Sequence, residues 1–184
     1  MTSRISIASA FLLLMLMMVT ACSQEKGLQI NTADIRTFFS PGGGCTDAIV
    51  EEIDKAKSDI NIQAYSFTSK PIARAIANAH KRGVRVEIIL DKSNRSAKYS
   101  AADFTVNTGV PTYIDASHAI AHNKIMIIDQ ETVITGSFNF TKAAEESNAE
   151  NILIIRNKDL AGRYLNNWQL HRQHSEVYKG RQGN

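Results

Sequence analysis

Between residues 35 and 155 the chain alternates short β-branched runs with stretches of helical periodicity, and no other feature restricts its fold as much. Residues 35–40 read as a strand, stopped by Pro41-Gly42-Gly43-Gly44. Residues 46–57 place Ile49, Ile53 and Ala56 at i, i+4 and i+7, one face of an amphipathic helix. Residues 60–67 alternate as a strand does. Ser69 and Pro71 open the next helix and Gly83 ends it, with Ile72, Ile76 and Ala79 as its inner stripe. Residues 84–90 form an apolar, β-branched run, the pattern of a buried strand. Further strands are expected at 110–114, 122–129, 132–135 and 150–155. Residues 160–174 close the chain as a helix, with Tyr164, Leu165 and Trp168 for packing. The polar stretch 91–109 is ambiguous, with helix expected from Ser96 onward. Alternation of this kind predicts an α/β fold, a mixed β-sheet flanked by helices on both faces.

At 184 residues there is enough chain for one full core and too little for two. Residues 33–184 are therefore expected to form a single domain. The apolar fraction of 43% and charged fraction of 21% are those of a globular protein rather than a disordered one. The first 21 residues differ in kind: Arg4 is the only early charge, residues 10–19 are unbroken apolar, and small residues precede Cys22. This is the layout of an export signal, with residues 22–32 as a tether. The run is short for a bilayer-spanning helix of about 20 residues; an uncleaved anchor is the alternative, since residues 5–24 carry no charge. Val19-Thr20-Ala21-Cys22 suits both a lipobox and the ordinary signal peptidase, and both cut before Cys22. The expected location is outside the cytoplasm, in the periplasm, either soluble or attached to a membrane through lipidated Cys22. Cys22 and Cys45 can pair in an oxidising compartment, whereas lipidation of Cys22 leaves Cys45 free.

The chemistry concentrates in His122-Asn123-Lys124 and the residues that follow: Asp129, then Gly136-Ser137-Phe138-Asn139. In extended backbone residues i and i+2 share a face, so an imidazole and an ammonium project together. Phosphodiesters resist attack because the phosphate is anionic. His122 can attack phosphorus and form a phosphohistidine, while Lys124, Asn139 and Ser137 bind the non-bridging oxygens. A fixed cation removes the need for a metal, so neither cofactor nor metal is expected. His118 and His122 are four apart, but the segment reads as strand and lacks an evident third ligand. No cysteine–histidine cluster has structural zinc spacing. His80, His171 and His174 lie in polar helical contexts and are expected at the surface. The three glycines at 42–44 lack the lysine-serine ending of a phosphate loop and read as a turn before a helix.

The pattern His122-x-Lys124-x4-Asp129 with Gly136-Ser137-x-Asn139 resembles the signature of the phospholipase D superfamily, and within it the small bacterial EDTA-resistant endonucleases. The likeness extends over Phe39-Ser40-Pro41, Tyr65-Ser66-Phe67-Thr68, Arg82-Gly83-Val84, Phe140-Thr141 and Asn148-Ala149-Glu150-Asn151. It implies metal-independent phosphodiester cleavage, with His122 as nucleophile or general acid and Lys124, Ser137 and Asn139 holding the phosphate. Glu150 would orient a histidine through its other ring nitrogen. Asp129, at the far end of the strand, reads as a structural brace. One motif copy implies a homodimer whose active site is shared across the two-fold axis, the two His122 residues taking different roles.

Two substrates fit this core. An exported, non-specific endonuclease would hydrolyse DNA, with RNA as the second polymer; a net charge of +3 is compatible with a nucleic acid partner. Lys92, Arg95 and Lys98 would line a groove for its backbone, or form a solvated charged face. The alternative is a phospholipase D or phosphatidyl transferase acting on membrane phospholipids. A catalytically silent binding module is disfavoured because His122, Lys124, Ser137, Asn139 and Glu150 are all present.

Overall fold

Two strands buried along their whole length, β2 (Asp59–Ala64) and β5 (Lys124–Ile128), lie side by side at the centre of one mixed sheet. The computed structural model describes residues 34–181. The export signal at 1–21, the tether at 22–32 and Cys22 therefore lie outside the described residues. The other strands are β1 (Ile35–Ser40), β3 (Arg85–Asp91), β4 (Thr112–Asp115), β6 (Thr132–Gly136), β7 (Glu150–Arg156) and β8 (Glu176–Val177). Their order is β1-β7-β6-β5-β2-β3-β4-β8. Among the described strands, only β2–β3 and β3–β4 pair in parallel, and helices cover both faces.

On one face lie α1 (Cys45–Lys55), α2 (Lys70–Lys81) and the short α3 (Ala102–Asn107). Their apolar stripes, Ile49 and Ile53 on α1 and Ile72 and Ile76 on α2, meet Ile60, Ile62, Met126 and Ile128 of the sheet. The opposite face packs against α5 (Lys158–His174), where Trp168 and Ala161 cover Ile89, Ile125, Ile127 and Val133. Trp168 also donates its indole N–H to the carbonyl of Ile62 at 2.9 Å. Alternation along β5 thus sends Ile125 and Ile127 to α5, and Met126 and Ile128 to α1 and α2. Among the described residues no helix is long and apolar enough to cross a membrane.

The glycine turn before α1 is held from a distance. Glu145, on α4 (Lys142–Glu146), accepts hydrogen bonds from the amides of Gly44 (3.1 Å) and Thr46 (2.7 Å), and its carbonyl accepts from Gly42 at 2.8 Å. These donors are engaged by the protein, in agreement with a turn rather than a phosphate cradle. Glycine is required at 43, where a Cβ would lie 1.7 Å from the carbonyl oxygen of Phe39.

Two expectations are corrected. The strand expected from His122 begins at Lys124, because Asn123 makes the last ladder contact there, accepting from the Tyr65 amide at 2.8 Å. The helix expected from Ser96 is confined to Ala102–Asn107, preceded by a 3-10 turn at Lys92–Arg95. Buried Asn94 donates to the carbonyls of Tyr65 (2.7 Å) and Asp91 (3.1 Å), and its own oxygen accepts from Ser100 at 3.0 Å. Side-chain bonds of this type give the backbone an alternative to helix.

Candidate active site

Two charged residues of the motif bracket β5, Lys124 as its first residue and Asp129 just past its last. At the start, Lys124 points to the α1–α2 side and is only 7% exposed. Its ammonium donates to the His122 carbonyl at 2.8 Å and sits over the Tyr65 ring, 5.1 Å from the centroid. Burial pulls its pKa below the ordinary lysine value, and the negative charge of Glu150 opposes that shift. His122, exposed just before the strand, lies against the same tyrosine, with ring centroids 4.6 Å apart. Tyr65 therefore spaces the imidazole and the ammonium.

Ser137 and Asn139 reach the site from the segment after β6. The extended backbone turns at Gly136, where φ is +155° and a Cβ would meet the carbonyl oxygen of Asn151 at 2.2 Å. The hydroxyl of exposed Ser137 accepts from the Asn151 amide (3.1 Å) and its side-chain nitrogen (3.3 Å), which fixes its direction. Buried among the described residues, Asn139 Oδ1 has no hydrogen-bond partner. Glu150 opens β7 opposite Ser40 and accepts from Asn148 Nδ2 at 3.2 Å. The structure thus brings Lys124 and Glu150 within electrostatic reach, groups His122 and Lys124 on Tyr65, and presents Ser137 beside β7.

Asp129 stands apart, at the other end of β5. Its carboxylate accepts from the amides of Lys57, Ser58 and Asp59 at 2.7–3.2 Å and from the Ser58 hydroxyl at 2.9 Å. Burial pushes its pKa up, but the bonds from Ser58, Lys57 and Asp59 outweigh this and hold it below the usual value. Its φ of 53° places it in the left-handed region that Asp tolerates in turns. This geometry ties the β5–β6 turn to the start of β2.

A cleft of about 400 Å³ is lined by Lys70, Arg74, Tyr99 and Phe104 among others, and by none of His122, Lys124, Ser137, Asn139 and Glu150. Its wall residues Thr68 and Ser69 both donate backbone amides to the carbonyl of Phe140, next to Asn139. Of the three cations expected along a groove, Arg95 pairs with Glu176, Lys92 donates to the carbonyl of His118 at 3.0 Å, and Lys98 lies over the Tyr99 ring at 5.5 Å.

His174 is exposed, as expected, whereas His171 is only partly exposed, and neither is a plain solvated side chain. Together with His118 they surround Asp115, the fully buried last residue of β4. The spacings Asp115-x2-His118 and His171-x2-His174 were readable in the chain, but 53 positions separate His118 from His171 and only the packing of α5 joins them. Tyr65, too, has no chemical signature of its own; its role follows from its position between two charged groups.

Comparisons with known proteins agree with this architecture. The family described as cardiolipin synthase, PLD-like domain, matches residues 49–170. A phospholipase D of Rickettsia conorii is 45% identical over 140 residues, covering 76% of this chain and 70% of that protein. Nuc of Salmonella typhimurium, a phospholipase D family member, superposes with a TM-score of 0.77 at 39% identity, covering 79% of this chain and 98% of Nuc. NucT of Helicobacter pylori gives a TM-score of 0.72 at 25% identity, covering 78% and 98%. With its PLD-like domain matched across two of every three residues and its sheet shared with Nuc, the chain belongs to the phospholipase D superfamily of phosphodiesterases.

Proposed function

We propose that this protein is a metal-independent endonuclease that hydrolyses DNA, and RNA as a second polymer, through a phosphohistidine on His122. The observation that carries the reading is an exposed imidazole beside a buried ammonium, spaced by one tyrosine ring. A phosphate seated there meets a nucleophile and a cation whose charge is poorly screened, which is the condition for strong electrostatic stabilisation. Lys124, Ser137 and Asn139 bind its non-bridging oxygens. Glu150 holds a histidine in register, and Asp129 braces the strand. The cleft walled by Thr68 and Ser69 offers two cations, Lys70 and Arg74, and an aromatic ring, 75% exposed on Tyr99, as a track for a nucleic acid strand.

The site is completed in a homodimer. Phe39 is 65% exposed and Ile120 is 56% exposed, and both stand near the site: Phe39 pairs with Asn151, and Ile120 precedes His122 by two residues. Covering them with a second copy would bring two His122 side chains to one phosphate, one to attack and one to protonate the leaving oxygen. The protein acts outside the cytoplasm, in the periplasm, free or attached through lipidated Cys22.

The second reading is a phospholipase D or phosphatidyl transferase, favoured by relatives from five Rickettsia species that bear the name phospholipase D at 43–46% identity. The two readings separate in one experiment. Plasmid DNA and phosphatidylcholine vesicles are each incubated with the full chain and excess EDTA. Nicking of the plasmid is expected; choline release without nicking would replace the nuclease with the lipase. Sedimentation at working concentration should give a dimer, and a fully active monomer would overturn the shared site.

A further inference from the structure

Away from His122 and Lys124, three imidazoles converge on one buried carboxylate. Asp115 Oδ2 lies 2.8 Å from His171 Nδ1, 3.1 Å from His118 Nδ1 and 3.3 Å from His174 Nε2. The other oxygen, Oδ1, is 3.1 Å from His118 Nδ1 and accepts the Ser117 amide at 3.1 Å. The ring centroids are 4.8, 5.2 and 5.4 Å apart. All four potential ligand atoms fall within 4.8 Å of one another. The three rings come from two separate elements, the loop after β4 and the last turns of α5, and each turns a nitrogen towards the same point.

We propose that Asp115, His118, His171 and His174 form a structural zinc site. Zinc binds imidazole nitrogen and carboxylate oxygen at about 2.0–2.2 Å in a tetrahedron, which sets neighbouring ligands about 3.3 Å apart. The contacts to Asp115, at 2.8–3.3 Å, lie close to that spacing, and the wider pairs close by side-chain rotation, since the histidines are 17–45% exposed. Three imidazoles with one carboxylate suit zinc better than magnesium or calcium, which take all-oxygen shells. Four protein ligands fill the tetrahedron and leave no position for a reacting water, so the ion is a staple rather than a catalyst. The Ser117 amide on Asp115 is the outer contact that orients a ligand.

The staple has a defined mechanical position. It joins the end of β4 and the His118 loop to the C-terminal turns of α5. Four residues after His118 the same loop delivers His122, and between them the Ala121 amide is held by Asp91 at 2.8 Å. Zinc thus fixes one end of the segment that carries the imidazole while taking no part in cleavage. EDTA would remove the staple and leave the reaction chemistry intact.

The test uses the full chain without a polyhistidine tag, stripped with chelator and titrated with zinc chloride. One equivalent should bind, and Tm should rise by about 5–10 °C at a hundredfold excess over Kd. Cobalt(II), used as a probe, should give the intense visible absorption of a four-coordinate ion. His171→Ala should abolish binding. His118→Gln, in an exposed loop that can accept the change without disturbing a helix, should weaken it at least about tenfold and keeps the test decisive if His171→Ala does not fold. A Tm indifferent to zinc, or unchanged zinc affinity in His118→Gln, would overturn the site. None of these readouts requires the cleavage activity.

Discussion

The two ends of β5 hold opposite charges under opposite conditions. At one end Asp129 is surrounded by three amides and a hydroxyl, so its charge is matched donor by donor. At the other, Lys124 is buried with one carbonyl and the face of a tyrosine, and its charge is matched mainly by the more distant Glu150. A satisfied charge stabilises the fold and has little capacity left for a ligand. An under-satisfied one costs stability and is poised to bind an anion. Within five residues the chain therefore separates a brace from the group proposed to bind phosphate, although the sequence motif presents both as members of one signature.

The sharpest break in this comparison would come from His122→Ala, beside the Lys124 end. Phosphodiester cleavage should fall by at least about 10⁴-fold, measured on plasmid DNA, with the unfolding midpoint unchanged. Lys124→Met should reduce cleavage by about 10²–10³-fold while raising stability by about 0.5–2 kcal/mol in urea unfolding. A Lys124→Met protein less stable than the parent would show that the ammonium is better satisfied than its contacts indicate. Asp129→Ala should reverse the pattern. It leaves several amides without an acceptor and should cost about 2–4 kcal/mol, with the folded fraction retaining its turnover.

The two ends should also respond to pH in opposite senses. Asp129 has a folded pKa below its ordinary 3.8, so its contribution is complete above that value and is lost as pH falls towards the folded pKa. The stability gap between the parent and Asp129→Ala should narrow in acid. Lys124 has a folded pKa below its ordinary 10.5, so the cost of its burial is complete below the folded value. As pH rises towards 10.5 the native state loses this proton first, the penalty lifts, and the gap to Lys124→Met should narrow in alkali. Urea unfolding across both ranges checks the two signs together.

The smallest effect belongs to Glu145, a second carboxylate saturated by backbone amides. Glu145→Ala should cost about 1 kcal/mol, as loss of a helix cap does, and leave cleavage unaltered. A large loss of activity there would extend the functional region to the glycine turn.

Much of the architecture was legible because it depends on local periodicity. Ile49 and Ile53, or Ile72 and Ile76, announce a helix face wherever the chain places it, and the alternating run 60–67 announces a strand. The motif residues were legible for the same reason, since their chemistry is carried by residue type and short spacing. Boundaries were less legible where tertiary contacts set them. His122 falls outside its strand because β2 supplies no ladder partner for it, and residues 96–101 leave the helix because Asn94 and Ser100 satisfy each other.

Sequence alone determined an α/β chain and the spacing of the motif residues proposed to bind phosphate, because pattern and residue chemistry are local properties. The tertiary structure decided how those residues are conditioned. It buried Lys124 beside Tyr65, turned Asp129 into a brace on Ser58, and gathered His118, His171 and His174 on Asp115. Burial, hydrogen-bond matching and convergence across 53 positions are properties of packing, and they exist only once the sheet and α5 are assembled.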